Sequence, residues 1–190
     1  MAKRKIPDIL TLEEQNRLLS QFNCRYLCPQ RNKMMIRLFL DSGLRLSEML
    51  NLKWKNINLL TGNLKVVEGK GNKDRILWVN DHALDMLKNW RERQVEEIGR
   101  VELVFTTRKG TQLNPRDIRQ MVSTYSKKAG IEKKVSPHSF RHTFASDLLR
   151  ANNNIRKVQK ALGHTDLSTT MIYTHIVDEE LENDLKSFRE

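Results

Sequence analysis

Residues 136–149 read SPHSFRHTFASDLL and predict a helix that contributes to the core. Pro137 suits the first turn of a helix, because a residue at that position needs no N–H donor. Apolar side chains then recur at every fourth residue, at Phe140, Phe144 and Leu148. This spacing places them in one stripe along the helix, which we expect to pack against the rest of the protein.

His138 and Arg141 lie three residues apart on the same predicted helix, so they project from one face. That face differs from the apolar stripe, and the helix can therefore pack with one side and present a basic pair with the other. Taken alone, a pair of this kind is also typical of a solvated helix surface.

Most of the remaining chain has helical periodicity as well. A capping box formed by Thr11 and Glu14 predicts a helix that begins at Leu12. The apolar spacing and the helix-breaking residues predict further helices at about 32–41, at 46–52, from 81, from 115, at 155–162, at 167–173 and at 179–188.

Two short runs alternate in the manner of β-strands. Residues 64–68 and 75–79 are joined by the Gly-rich segment 69–74, which predicts an antiparallel hairpin. Residues 56–62 are expected to supply another short strand and a turn. The predicted fold class is therefore α+β, mainly α-helical with a small antiparallel β-sheet.

Basic residues outnumber acidic ones, with 34 Lys and Arg against 23 Asp and Glu, a net charge of +11 in 190 residues. This excess favours a polyanionic partner, nucleic acid first and an anionic membrane surface second. No apolar run approaches the roughly 18 residues that span a bilayer, and the N-terminus has no apolar stretch suited to secretion. Cys24 and Cys28, without further cysteines, favour reduced thiols and a cytoplasmic location.

The negative charge is concentrated at the C-terminus. Residues 178–190 carry six acidic and two basic residues, a net charge of −4. Because the whole chain has a net charge of +11, residues 1–177 carry +15. Leu181, Leu185 and Phe188 give this segment one apolar face, so an amphipathic helix is expected there. That face can dock on its own domain or on a neighbouring protomer, and the sequence leaves both open.

Two cations stand in local contexts that suit phosphate binding. Glu48 follows Arg45 by three residues and can hold its guanidinium rigid, in a geometry that contacts two phosphate oxygens. Lys70 lies between Gly69 and Gly71 at the predicted hairpin tip, where glycine lets the backbone approach a ligand. Lys73 is a competing candidate on the same turn, and each of these residues is alone an ordinary surface cation.

His164 and Tyr173 complete the set of polar candidates. His164 follows Gly163, a suitable helix C-cap, so we expect an exposed histidine at a helix end. Tyr173 lies nine residues later among apolar neighbours, and a phenol in this setting is by itself typical of core packing.

The order of these residues resembles the catalytic domain of the tyrosine recombinase (phage integrase) family. The family signature is an arginine, a hairpin lysine, His-x-x-Arg, a histidine and a tyrosine. It is met in this chain by Arg45, Lys70, His138, Arg141, His164 and Tyr173. Glu48 matches the acidic residue after the first arginine. The resemblance covers about residues 7–190 and implies the family's catalytic-domain fold.

The resemblance implies transesterification of DNA. Tyr173 would attack the scissile phosphate and form a 3′-phosphotyrosyl link, while Arg45 and Arg141 would stabilise the charge on the non-bridging oxygens. Because the covalent link keeps the energy of the ester, no ATP, metal ion or other cofactor is expected.

The remaining signature residues would move protons and orient the phosphate. Lys70 would protonate the leaving 5′-oxygen, His138 would assist proton transfer with Tyr173, and His164 would donate a hydrogen bond to the phosphate. Glu48 would support Arg45.

The resemblance also implies a domain division and partners. Residues 1–10 would be a linker, 11–177 the catalytic domain and 178–190 the acidic C-terminal helix. Double-stranded DNA would be the substrate, with a tetramer assembled on it through that helix and with no membrane involved. The family usually carries an N-terminal DNA-binding domain; because this sequence starts at the linker, we expect an excised domain or a natural minimal protein.

Three alternatives remain open at the level of sequence. A type IB topoisomerase would use a similar site to relax supercoils. A metal-dependent hydrolase could use His138 and His142 with His164 or His175, although no HExxH motif or acidic cluster accompanies them. A non-catalytic DNA-binding module would need the positive charge alone.

Overall fold

A computed structural model of the chain describes residues 8–67, 74–164 and 166–174. Lys70, most of the predicted hairpin turn and the predicted helix at 179–188 lie outside these ranges. Within them, the helices are α1 (Leu12–Ser20), α2 (Leu27–Ser42), α3 (Leu46–Leu50), α4 (Asp81–Ile98), α5 (Pro115–Lys128), α6 (Pro137–Asn152) and α7 (Ile155–Leu162). The strands are β1 (Asn63–Val66) and β2 (Arg75–Trp78), and short 3₁₀ turns span Trp54–Asn56 and Leu167–Thr169.

The two strands form an antiparallel sheet in which Asn63 pairs with Trp78 and Val66 pairs with Arg75. Alternate residues of each strand are buried, as expected for a sheet with one face on the core. The predicted class, mainly helical with a small antiparallel sheet, is confirmed.

The short strand predicted at 56–62 is wrong. Trp54–Asn56 form a 3₁₀ turn, and Ile57 makes only an isolated bridge to Leu64. The Asn58 side-chain oxygen then accepts hydrogen bonds from the backbone N–H groups of Leu60 and Thr61, at 2.9 and 3.1 Å. An asparagine that bonds its own following backbone favours a turn over a strand.

Helix α2 begins at Leu27, five residues before the predicted start. The side chain of Arg93, on α4, donates hydrogen bonds of 2.7 Å to the carbonyl oxygens of Cys24 and Arg25, directly before the helix. Pro29 occupies its first turn, where proline is tolerated. The contact that holds this start spans almost 70 residues of sequence, so a local pattern could not indicate it.

The main core is built around α2, which packs against both α4 and α6. Met35, Ile36, Leu38 and Phe39 are all fully buried, so this helix is apolar on more than one side. The rings of Phe39 and Phe140 lie 6.0 Å apart and join α2 to α6. Across the described ranges, no helix combines the length and the apolar character that crossing a membrane requires.

The single apolar stripe predicted for α6 is only partly correct. Phe140 is fully buried, but Phe144 and Leu148 are half-buried, while Ala145 and Leu149 are buried instead. These two residues form a second, smaller cluster with Val158 and Leu162 of α7 and with Tyr173. Because α6 lies between α2 and α7, it buries two faces, and one stripe cannot describe it.

Gly43 joins α2 to the segment before α3 and has a φ of +60°. A Cβ atom at this position would clash with the ring of Phe144, lying 2.9 Å from Cε1 and closer still to Cδ1. Its carbonyl oxygen accepts a hydrogen bond from Arg141. Only glycine allows both this backbone conformation and this close approach of α2 to α6.

We expect Gly43→Ala to destabilise the protein through both strain and overpacking. Gly130→Ala is the matched control, because Gly130 has a φ of +66° but a Cβ atom there would meet nothing within 4 Å. The control is expected to lose about 1–2 kcal/mol from backbone strain, and Gly43→Ala about 1–3 kcal/mol more from the clash. Urea unfolding measures both, and equal losses would contradict the packing argument.

Candidate active site

The described candidate residues come from four separate elements that meet near the N-terminal half of α6. Arg45 precedes α3, Arg141 lies on α6, His164 follows α7 and Tyr173 follows the last 3₁₀ turn. These residues are spread along the sequence from Arg45 to Tyr173, so the cluster exists only in the folded chain.

Arg45 is held by Glu48 in two ways. The Glu48 carboxylate accepts a hydrogen bond of 2.7 Å from the Arg45 backbone N–H and another of 2.7 Å from its guanidinium. The first of these bonds also caps α3. The Arg45 side chain remains 33% exposed and lines a groove of about 430 Å³ together with residues that include Lys65. The predicted support of Arg45 by Glu48 is therefore present as a contact.

Arg75 is a member of the cluster that the sequence patterns did not single out. It is 8% exposed, and its guanidinium donates two parallel hydrogen bonds of 2.9 Å to the two Glu48 oxygens and one of 2.9 Å to the Ala161 carbonyl. The alternation of inward and outward residues in β2 could have indicated that Arg75 is buried, because Arg75 shares the inward register of Leu77. An arginine in the inward register of a strand requires a buried acceptor.

Glu48 lies between two guanidinium groups, and this sets its charge. Burial alone would raise the pKa of its carboxyl group. The hydrogen bonds from Arg75 and Arg45, and the positive charge of Arg75, outweigh burial and lower the pKa to about 2. Glu48 is therefore ionised at neutral pH.

Arg141 is 5% exposed and bonds to backbone carbonyls. It donates to the Gly43 oxygen at 2.6 Å and to the Leu162 oxygen at 2.8 Å. Burial and the nearby charge of Arg45 lower its pKa to about 10, so it stays protonated at pH 7. The sequence left a solvated helix face open for this residue, but the structure buries it, because α7 covers that side of α6.

The three guanidinium groups of Arg45, Arg75 and Arg141 and the Glu48 carboxylate together carry a formal charge of +2. The electrostatic effects of Arg45 and Arg75 on Arg141 show that the groups lie close enough to repel one another. A partly buried cluster of this charge favours an anion, and paired guanidinium groups match the oxygens of a phosphate.

His164 is half-buried, whereas the sequence predicted an exposed residue. Gly163 ends α7 with a φ of +67°, as expected for a C-cap, and turns His164 back toward α6. The His164 Nε2 atom lies 3.0 Å from a guanidinium nitrogen of Arg141, and Nδ1 lies 3.0 Å from the Thr170 hydroxyl. Because arginine can only donate, Nε2 must accept, which leaves the proton on Nδ1. Burial and then the charges of Arg141 and Arg45 lower the pKa of His164 to about 4.

Tyr173 is 2% exposed and packs in the small cluster between α6 and α7. Its hydroxyl lies 2.9 Å from Nδ1 of His142. Burial raises the pKa of the phenol, and the charge of Arg141 opposes this only in part. Burial, followed by the charges of His138 and Arg141, lowers the pKa of His142 to about 4. Both groups are therefore neutral at pH 7, and we assign the phenol as the donor to Nδ1.

The outcome differs for the two remaining sequence candidates. His138 is exposed at the start of α6, and Lys70 lies outside the described residues. In contrast, His142 was considered only as a metal ligand, and the structure places it against Tyr173. Its position four residues after His138 and next to Arg141 gave no signal of that contact.

The metal-dependent alternative finds no support in the described part of the chain. No group of three or more His, Cys, Asp or Glu side chains there could hold a metal ion. His142 uses Nδ1 for Tyr173, and both ring nitrogens of His164 have protein partners.

Known proteins resemble the chain over nearly its whole length. The sequence profile of the phage integrase family matches residues 9–180. Tyrosine recombinase XerC of Thermodesulfovibrio yellowstonii is 37% identical over 180 residues, which are 92% of this chain and 60% of XerC. The chain therefore spans less than two thirds of the length of this relative.

Solved structures resemble the fold. XerA recombinase superimposes with a TM-score of 0.83 at 30% identity, covering 98% of this chain and 67% of XerA. The XerH site-specific recombinase, solved on palindromic difH substrate as a post-cleavage complex, gives 0.82 at 30% identity, covering 98% of this chain and 54% of XerH. The predicted tyrosine recombinase catalytic-domain fold is confirmed.

We expect Glu48→Gln to destabilise the protein at pH 7 and to remove part of its sensitivity to acid. A carboxyl whose pKa falls from 4.5 to about 2 on folding stabilises the protein above pH 4.5 and loses that contribution as the pH approaches 2. The shift corresponds to on the order of 3 kcal/mol. Urea unfolding at pH 7 and at pH 3 should show a difference between wild type and Glu48→Gln that shrinks on acidification.

Glu102→Gln is the control for this comparison. Glu102 also pairs with a basic residue, Lys53, but is exposed, so its replacement is expected to change stability little at either pH. A Glu48→Gln effect that is as small as this, or that is the same at both pH values, would contradict the assigned charge.

Proposed function

Since the chain belongs to the phage integrase family, we propose that it is the catalytic domain of a site-specific DNA recombinase. It would cleave and rejoin DNA strands through a 3′-phosphotyrosyl intermediate, without a metal ion or ATP. The observation that carries this proposal is the partly buried cluster of guanidinium groups beside His164 and the Tyr173 phenol. The names of the relatives, all recombinases, favour this reading over a topoisomerase or a binding module.

In this proposal the arginines bind the scissile phosphate. Arg45 offers the exposed part of its guanidinium, while Arg141 is fixed by two backbone carbonyls. Held donors of this kind need no reorganisation when negative charge develops on the non-bridging oxygens. His164 lies against Arg141 and would donate a hydrogen bond to the same phosphate after its proton moves from Nδ1, which now faces Thr170, to Nε2.

Tyr173 is the proposed nucleophile. Its oxygen would form a bond to phosphorus while the bond from phosphorus to the 5′-oxygen breaks. The phenolic proton would leave with the help of His138, and Lys70 would supply a proton to the 5′-oxygen. Attack by a 5′-hydroxyl from a partner strand would reverse these steps and complete the exchange.

A phenol that is 2% exposed cannot reach a DNA backbone, so Tyr173 must leave its present position before it attacks. That movement would break the hydrogen bond to His142 and expose part of the cluster between α6 and α7. We propose that the described geometry is a resting state, in which burial keeps the phenol protonated and away from solvent.

The domain division and the partners are part of the same proposal. Residues 1–10 would act as a linker, 11–177 as the catalytic domain and 178–190 as a helix that joins protomers in a tetramer on double-stranded DNA. The net charge of +15 on residues 1–177 supports contact with DNA phosphates. A cytoplasmic location is proposed from the bacterial relative and from the two free cysteines, Cys24 and Cys28.

We expect Tyr173→Phe to bind DNA and to form no covalent complex. A pool of nicked duplexes with randomised sequence serves as the substrate, because a nick beside the scissile phosphate traps the phosphotyrosyl link, which survives denaturing gels. Loss of the hydrogen bond to His142 is expected to cost only about 1 kcal/mol, so the variant stays folded.

Tyr26→Phe is the matched control for the nucleophile, since Tyr26 is an exposed tyrosine. It is expected to trap as much DNA as the wild type does. An adduct that persists in Tyr173→Phe would reject the nucleophile assignment, and a wild-type protein that traps no member of the pool would reject the proposed function.

Deletion of residues 179–190 tests the proposed assembly. If the segment docks on a neighbouring protomer, the truncated protein should still cleave the nicked duplex but should fail to form multimers on DNA in analytical ultracentrifugation. If it docks on its own domain, the truncation should lower the midpoint of thermal unfolding and leave assembly unchanged. The second outcome would overturn the assembly role.

A further inference from the structure

Arg75 lies outside the proposed chemistry, yet it is among the most buried charged residues of the described chain. It occupies the start of β2, and its guanidinium reaches away from the sheet to two helical segments. A buried arginine needs several hydrogen-bond acceptors to offset the loss of hydration, so the acceptors around Arg75 indicate its role in the fold.

Three hydrogen bonds join Arg75 to two helices that adjoin proposed phosphate-binding groups, since Arg45 directly precedes α3 and His164 follows the end of α7. Nη1 and Nη2 donate to the two carboxylate oxygens of Glu48 on α3, each at 2.9 Å. Nε bonds to the Ala161 carbonyl in the last turn of α7, also at 2.9 Å. One planar group therefore ties β2 to α3 and α7 at a fixed separation.

On the α3 side, Glu48 links Arg75 to Arg45, because its carboxylate accepts hydrogen bonds from both. The same two carboxylate oxygens that receive Arg75 also receive the guanidinium and the backbone N–H of Arg45, at 2.7 Å each. Arg75 thus fixes the rotation of the carboxylate, and the carboxylate fixes the direction of the Arg45 guanidinium. Without Arg75, the α3 capping bond from the Arg45 backbone would still hold Glu48, but the carboxylate could rotate more freely and the Arg45 guanidinium would be less well oriented.

On the α7 side, the end of the helix links Arg75 to Arg141 and His164. Ala161 and Leu162 are consecutive, and the carbonyl of the first accepts from Arg75 while that of the second accepts from Arg141. Gly163 and His164 follow directly, and His164 contacts Arg141 at 3.0 Å. The end of α7 is therefore held between two guanidinium groups.

We propose that Arg75 is a positioning residue that sets the spacing between Arg45 and the Arg141–His164 pair for binding one phosphate. It acts through Glu48 and through the end of α7, and it does not touch the substrate. This inference rests on the proposed function, since it concerns the same phosphate. Lysine cannot replace it, because an ammonium group cannot make two parallel bonds and a third in the same plane.

The test uses Arg75→Lys and Arg75→Gln on two substrates. One is a nicked duplex selected from the randomised pool by covalent capture. The other is the same duplex with a methylphosphonate at the scissile position, where a methyl group replaces a non-bridging oxygen and removes its charge. Release of the 5′-hydroxyl strand measures cleavage of either linkage, whether or not the tyrosyl ester persists.

On the phosphate substrate we expect both variants to cleave about 10- to 100-fold more slowly than the wild type, a range typical of residues that orient the groups of a site. On the methylphosphonate the deficit should largely disappear, because a neutral linkage does not require correctly spaced cations. Arg45→Ala is expected to show the same pattern of rescue, since Arg75 acts through Arg45.

Arg93→Lys is the matched control for a structural role. Arg93 also bonds backbone carbonyls and a glutamine side chain, at 2.7 Å, but it lies on α4 and holds the start of α2. Its replacement is expected to lower stability and to leave the ratio of the two cleavage rates at the wild-type value.

The outcomes separate this inference from the proposed function. Equal relative losses on both substrates, or wild-type cleavage by the Arg75 variants, would overturn the positioning role while leaving the recombinase proposal intact. Failure of both variants to fold at 10 °C, measured by circular dichroism, would assign Arg75 to stability and would also overturn it. A wild-type protein that cleaves neither substrate would reject the proposed function itself.

Discussion

The candidate site depends on one carboxylate that lies between two guanidinium groups. Glu48 accepts hydrogen bonds from Arg45 and Arg75, while Arg141 lies close enough to both cations for their repulsion to lower its pKa. Three neighbouring cations, two of them buried, would repel one another without an anion, because the surrounding protein screens charge poorly. Glu48 offsets one charge, backbone carbonyls offset part of the rest, and the remaining positive charge suits a phosphate.

The packing of α2 against α6 makes this arrangement possible. Gly43 lets the chain turn at the end of α2 without meeting Phe144, and its carbonyl then accepts from Arg141. The same helix, α6, packs on its other side against α7, whose final carbonyls bind Arg75 and Arg141. Backbone carbonyls at the ends of α2 and α7 therefore orient Arg141, and this limits how far its guanidinium can relax.

The proposed nucleophile is held differently from the arginines. Tyr173 is buried in a small apolar cluster and bonded to neutral His142, so its environment favours the protonated phenol. The arginines are preorganised, whereas the tyrosine must move before it can react. A site divided in this way keeps the anion-binding part ready and keeps the reactive group protected until DNA is present.

The sequence by itself determined the fold class, most helices and the two paired strands, because periodicity and capping residues are local properties. The order of its motifs named the phosphate-binding candidates through their resemblance to a known family. The sequence did not indicate Arg75, the contact of His142 with Tyr173 or the burial of Arg141. It also misplaced the start of α2, which depends on Arg93. The tertiary structure alone decided these features, because each depends on atoms that are far apart in sequence and meet only when the helices pack.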